Sequence, residues 1–94
     1  MVGWALFPRE HLTIEGSPVT YESSPGTLRQ FCGTCGTGLF YVNETIFPGQ
    51  VDVQAATLDD PDALPPQARI QAAEAPAWFA RFSDLPTFER FPPA

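Results

Sequence analysis

Apolar and polar residues alternate along much of the chain, the period of strands that bury one face. Val2, Trp4 and Leu6 share one face, followed by Leu12 and Ile14 and then by Val19 and Tyr21. The same rule predicts strands where Val51, Val53 and Ala55 alternate with Asp52 and Gln54, and where Ala68, Ile70 and Ala72 alternate with Arg69 and Gln71. Leu39-Phe40-Tyr41-Val42 is apolar without interruption, which suits a central strand covered on both faces. Glu15-Gly16-Ser17-Pro18, Ser23-Ser24-Pro25-Gly26, Pro48-Gly49 and Asp59-Asp60-Pro61-Asp62 supply turn residues between these runs, so the early part reads as a meander of hairpins. One short helix is predicted from Pro76, carrying Trp78, Phe79 and Phe82 on one face as a lid over the end of a sheet. The tail, Phe91-Pro92-Pro93-Ala94, reads as loose. The pattern predicts a mainly β fold of short antiparallel strands with one short C-terminal helix.

Composition narrows this picture. With 94 residues, the chain has room for a single domain, taken here as 1–94, and eight Phe, two Trp and two Tyr give it material for a core. Eleven Pro and seven Gly keep its elements short. Eleven acidic residues oppose five basic ones, all Arg, for a net charge of −6. No basic footprint for phosphate exists, which argues against nucleic acid and anionic membranes as partners. The N-terminus lacks the basic and long apolar segments of a signal peptide or span. Two cysteines are far from the framework of a secreted scaffold, and the expected compartment is the cytoplasm.

The sharpest chemical feature is Phe31-Cys32-Gly33-Thr34-Cys35-Gly36-Thr37-Gly38, a Cys-x-x-Cys with glycines that leads into a strand. A tight turn can aim two sulfurs at one tetrahedral metal while backbone N–H groups donate to them, so the first reading is a zinc knuckle with Cys32 and Cys35 as ligands. A redox dithiol and chemically idle thiols are the other readings. Redox use is the weaker of these, since glycine and strand residues follow where a helix N-terminus would lower a thiol pKa. The knuckle is half of a four-ligand site, because the sequence has no second Cys pair. His11, at a strand start, reads as a satisfied surface or core residue, Asp52 as the solvent face of its strand, and Asp59, Asp60 and Asp62 as turn formers. Arg29 reads as a solvated strand residue near the knuckle. Neither a Ser-His-Asp elbow, a P-loop nor a dinucleotide fingerprint is present.

Several strings taken together are similar to one family. Phe7-Pro8-Arg9-Glu10, Glu15-Gly16, Tyr21-Glu22-Ser23-Ser24-Pro25-Gly26 and the stretch from Phe31 to Tyr41 resemble the glutathione-dependent formaldehyde-activating enzymes, known also from the centromere protein V domain. Val51-Asp52-Val53, Leu58-Asp59-Asp60-Pro61, Pro65-Pro66-Gln67-Ala68 and Trp78 fit the later part of that pattern. The resemblance implies a folded β-tent, zinc held by cysteines, and carbon-sulfur lyase chemistry on a glutathione-type small molecule such as S-hydroxymethylglutathione. The family pattern also carries a Cys-x-Cys and a Cys-x-Cys-x-x-Cys ahead of the strand that here starts at Val2, and this sequence contains neither. Cys32 and Cys35 match the last cysteine pair, which belongs to the structural zinc, and no catalytic residue can be assigned. The resemblance therefore implies a structural or binding module without catalytic zinc. A homodimer sharing zinc between two Cys32/Cys35 pairs would complete the half-site. The alternative is a piece of a longer zinc-dependent lyase, with Met1 an internal methionine.

Overall fold

Four of the predicted runs, joined by one further strand, pair into a single antiparallel sheet in the computed structural model, which describes residues 1–93. The strands are β1 (Trp4–Pro8), β2 (Val19–Ser24), β3 (Thr27–Phe31), β4 (Gly38–Asn43) and β5 (Gln50–Gln54), in the spatial order β1-β5-β4-β3-β2. The architecture is mainly β, as the alternation implies. Strands β2, β3, β4 and β5 follow one another as hairpins. The chain does not begin that meander at its first strand, however: β1 pairs with β5, Phe7 lying opposite Val51 and Ala5 opposite Val53. β4 occupies the middle of the sheet, the place its unbroken apolar run predicts.

Register places Ala5, Phe7, Val51, Val53, Phe40 and Val42 on one face. Val51 is 2% exposed and is the one fully enclosed apolar side chain among the described residues, while its neighbours on this face are half-buried. The second enclosed point is polar. Asn43 and Thr27, opposite each other on β4 and β3, are both buried, and Asn43 Nδ2 donates to Thr27 Oγ1 at 3.0 Å. Asn43 Oδ1 accepts from the backbone N–H groups of Thr45 and Ile46, each at 3.0 Å, so one side chain caps the strand and shapes the connection to β5. Arg9 N–H donates to the Gly49 carbonyl at 2.9 Å and ties β1 to the same connection.

Several expected elements are absent, each for a physical reason. Leu12 and Ile14 form no strand; a 3-10 turn at Arg9–His11 precedes an irregular stretch, and exposed His11 therefore ends a turn rather than starting a strand. Ala68, Ile70 and Ala72 form no strand either, because Gln71 adopts a left-handed φ of 56° and Ala72–Glu74 is a 3-10 turn. Ala55 likewise leaves the β5 run to begin a 3-10 turn at Ala55–Thr57. The predicted helix is present as a 3-10 segment, Ala77–Asp84, kinked at Arg81. It does not act as a lid: its aromatics pack on one another, Trp78 tilted against Phe79 and Phe79 stacked on Phe82, and Trp78 remains 56% exposed. Asp59-Asp60-Pro61-Asp62 behaves as a turn former, with Asp60 Oδ1 accepting from Asp62 N–H at 3.1 Å. Of the tail expected to be loose, Phe91 is exposed and Ala94 lies outside the described residues.

From Asp59 to Pro93 every side chain but Phe79 is exposed. The accessible surface is 7973 Å², whereas a compact chain of this mass shows about 5,400 Å². The radius of gyration is 15.7 Å, against about 12 Å for a compact domain of this length. No helix among the described residues is long and apolar enough to cross a membrane.

With so little enclosed surface, two positions dominate stability. Val51→Ala should cost about 2 to 3 kcal/mol by emptying the one closed apolar site. Asn43→Ala should cost about as much by leaving buried Thr27 and two backbone N–H groups without their partner. Denaturant unfolding checks both, and Asn43→Asp, which keeps the acceptor but loses the donor, should fall between wild type and Asn43→Ala.

Candidate metal centre

The two cysteines sit on the turn between β3 and β4, residues 32–37. The turn is closed at both ends by the backbone: Cys32 N–H donates to the Thr37 carbonyl at 2.9 Å and Gly36 N–H to the Cys32 carbonyl at 2.8 Å. Gly36 holds φ at +79°, a left-handed value that costs glycine little and other residues more. At Gly38 a Cβ would meet Gln54 Oε1 at 2.8 Å, a contact that the movable end of the Gln54 side chain can relieve by swinging aside. Of the glycines C-terminal to the pair, Gly36 is thus the one the backbone conformation itself demands.

Both thiols are free, Cys32 half-buried and Cys35 exposed. The backbone N–H groups of Cys35 and Thr34 beside the Cys32 sulfur, and then the Cys35 side chain, favour its thiolate and lower its pKa from the ordinary thiol value, outweighing its slight desolvation. Cys35 Sγ lies 3.0 Å from Thr37 Oγ1. Backbone donors of this kind favour thiolate, and Cys32 and Cys35 are the residues on this turn that could hold a metal.

The remaining ligands are not gathered by this fold. No group of three or more His, Cys, Asp or Glu placed to hold a metal ion forms among the described residues. His11 and the Asp59/Asp60/Asp62 turn therefore do not join the cysteines. Asp52, expected on a solvent face, is half-buried between Leu6 and Tyr41, and desolvation pushes its carboxyl above the ordinary aspartate value. An open hollow of about 400 Å³ is lined by Trp78, Arg81, Asp84 and Leu85. It is a crease in the exposed C-terminal segment and includes neither cysteine.

Sequence reasoning identifies the cysteines and their glycines but passes over Thr37, whose hydroxyl contacts Cys35. It also leaves Arg29 as a solvated strand residue. In the structure the Arg29 guanidinium carbon lies 5.1 Å from the centre of the Tyr41 ring, and its Nε donates to Ser23 Oγ at 3.3 Å. Trp4 approaches Tyr41 from another side, ring centres 6.2 Å apart. The alternating pattern signals that these residues share faces within their strands, but not which strands are neighbours.

Residues 1–74 match the sequence profile of one protein family, described as glutathione-dependent formaldehyde-activating enzyme. No curated protein and no solved structure matches the chain.

Replacing Gly36 by Ala tests the turn without touching a sulfur. The substitution should destabilise the chain by about 1 kcal/mol through left-handed strain. It should also weaken titrated zinc or cobalt binding, read from the thiolate charge-transfer absorption, while Gly33→Ala, which has no positive φ and sets a Cβ 3.1 Å from the exposed Val19 side chain, should leave metal binding less affected as Val19 shifts aside.

Proposed function

The chain belongs to the glutathione-dependent formaldehyde-activating enzyme family, and from that premise we propose that it is a zinc-knuckle module whose role is structural or binding rather than catalytic. Cys32 and Cys35 are its zinc ligands, and a second chain supplies the other two. The observation that carries this reading is the closed turn 32–37, which presents two free thiols together, one of them held toward thiolate by backbone donors. Zinc bound there supplies a tetrahedral cross-link; the chain's own contribution is to hold both sulfurs ready and to keep the turn shut. With two ligands from this chain, no open catalytic position is defined, and no reaction step is assigned to these residues. The reducing cytoplasm suits a pair of free thiolates.

Elemental analysis of protein purified under reducing conditions tests this directly. About half a zinc ion per chain is expected for a four-thiolate site shared by two chains, with metal falling to background in both Cys32→Ser and Cys35→Ser. Wild-type protein that carries no zinc, or zinc content indifferent to both substitutions, would defeat the reading.

The family match also favours a second reading, in which these residues are part of a longer zinc-dependent carbon-sulfur lyase acting on a glutathione adduct. Catalytic zinc would then be held by cysteines outside this sequence. On either reading the 94 residues alone should show no glutathione-dependent turnover. The second reading is supported if extending the chain at its N-terminus with the family's upstream cysteine segment produces that activity.

A further inference from the structure

One row of side chains runs across all five strands on the face opposite Val51. The register lines up Tyr21, Arg29, Tyr41, Asp52 and Leu6 as directly opposed neighbours from β2 to β1. This face is the more open of the two: Leu6, Tyr21, and also Trp4 and Val19 on the flanking rows, are all exposed. Its central row carries one cation and one anion, on either side of Tyr41 at the middle of the sheet. Among the described residues, neither Arg29 nor Asp52 has an ion-pair partner. Arg29 is held in place by Tyr41 and Ser23, and Asp52 is partly desolvated without compensation.

We infer that this face is the dimer interface of the protein, closed by a second copy of the same chain with Arg29 of each copy opposite Asp52 of the other. The reason is symmetry. A two-fold axis running along β4, between two sheets packed face to face at about 10 Å, leaves Tyr41 over Tyr41. It exchanges the position of β3 with that of β5, and hence Arg29 with Asp52. Both unpaired charges are then neutralised twice in one interface, and Tyr21 and Leu6 of the two copies meet at the outer strands. A row with two like charges could not pair with itself in this way. The molecule carries a net charge of −6, yet this row is neutral, so self-association here does not bring the excess acidic charge face to face. Area allows it as well. The surface of 7973 Å² exceeds that of a compact chain by roughly 2,600 Å², part of it on the C-terminal third and part on this face. A standard interface removes about 800 Å² from each partner.

An axis along β4 also leaves both β3–β4 turns at the same end of the sandwich. The interface itself does not depend on metal, which makes it separable from the zinc reading. The experiment is sedimentation of the full chain at high micromolar concentration, with and without a strong chelator. Wild type should sediment at twice the chain mass of 10.3 kDa in both conditions. Arg29→Asp and Asp52→Arg should each weaken dimerisation about tenfold or more, since each places like charges opposite one another. The decisive arm mixes these two variants. Each supplies the sign the other has lost, so the mixture should recover dimers that neither forms alone, which also shows that both are folded; the double variant should dimerise by itself. A monomeric wild type would overturn the inference and leave the face to a segment or partner outside this chain. A dimer untouched by either reversal, or one lost only to chelator, would overturn it in favour of another interface or of metal alone. Failure of the mixture to associate would overturn it too.

Discussion

Strand β4 holds the molecule together because it is paired on both sides and anchored at both ends. At its start, Gly38 follows directly on the cysteine turn, which the Cys32–Thr37 and Gly36–Cys32 backbone hydrogen bonds close. At its end, the Asn43 side chain satisfies Thr27 across the ladder and two backbone N–H groups of the following connection. A buried amide that meets several partners at once tolerates little displacement, since each lost bond leaves a desolvated group behind. The position of the cysteine turn is thus set by a strand whose far end is fixed by a polar lock.

The rest of the architecture is thin. Among the described residues, a single sheet encloses one apolar side chain completely, and from Asp59 to Pro93 only Phe79 is not exposed. For a chain of this size the hydrophobic term is small against conformational entropy, and natural small domains add metal, disulfide or oligomerisation to make up the difference. This chain carries features that suit two of those three: a thiol pair that remains unbridged and a sheet face whose charges are complementary to themselves. The sheet, open at the outer edges of β1 and β2, leaves Trp4, Tyr21, Trp78, Phe82, Phe88 and Phe91 exposed.

The chemistry of the cysteine turn follows from backbone geometry more than from neighbouring side chains. Donors from Thr34 and Cys35 favour negative charge on Cys32 without a helix dipole or a nearby cation. Such an environment stabilises a metal-bound thiolate, and it does so wherever the remaining ligands originate. Family membership rests on residues 1–74, and among the described residues no group of three or more His, Cys, Asp or Glu is placed to hold a metal ion.

Much of this was decided by the sequence itself. Period-two alternation determined β1, β2 and β5, the unbroken run at 39–42 determined the central strand, and Cys-x-x-Cys with its glycines determined the turn. These are local properties, written into backbone sterics and the two-residue repeat of a strand. The failures have a common cause. Ala68, Ile70 and Ala72 alternate as well as any strand, but all three are exposed, and Gln71 adopts a left-handed φ that breaks the extended run. Leu12 and Ile14 alternate too, but they follow the 3-10 turn at Arg9–His11 and pair with neither open edge of the sheet. The row from Tyr21 to Leu6 could not be read from the chain at all, because its members come from five separate strands. Only the strand order and register place Arg29 and Asp52 on either side of Tyr41, since a residue's neighbours across a sheet are set by which backbone edges pair and not by its own sequence context.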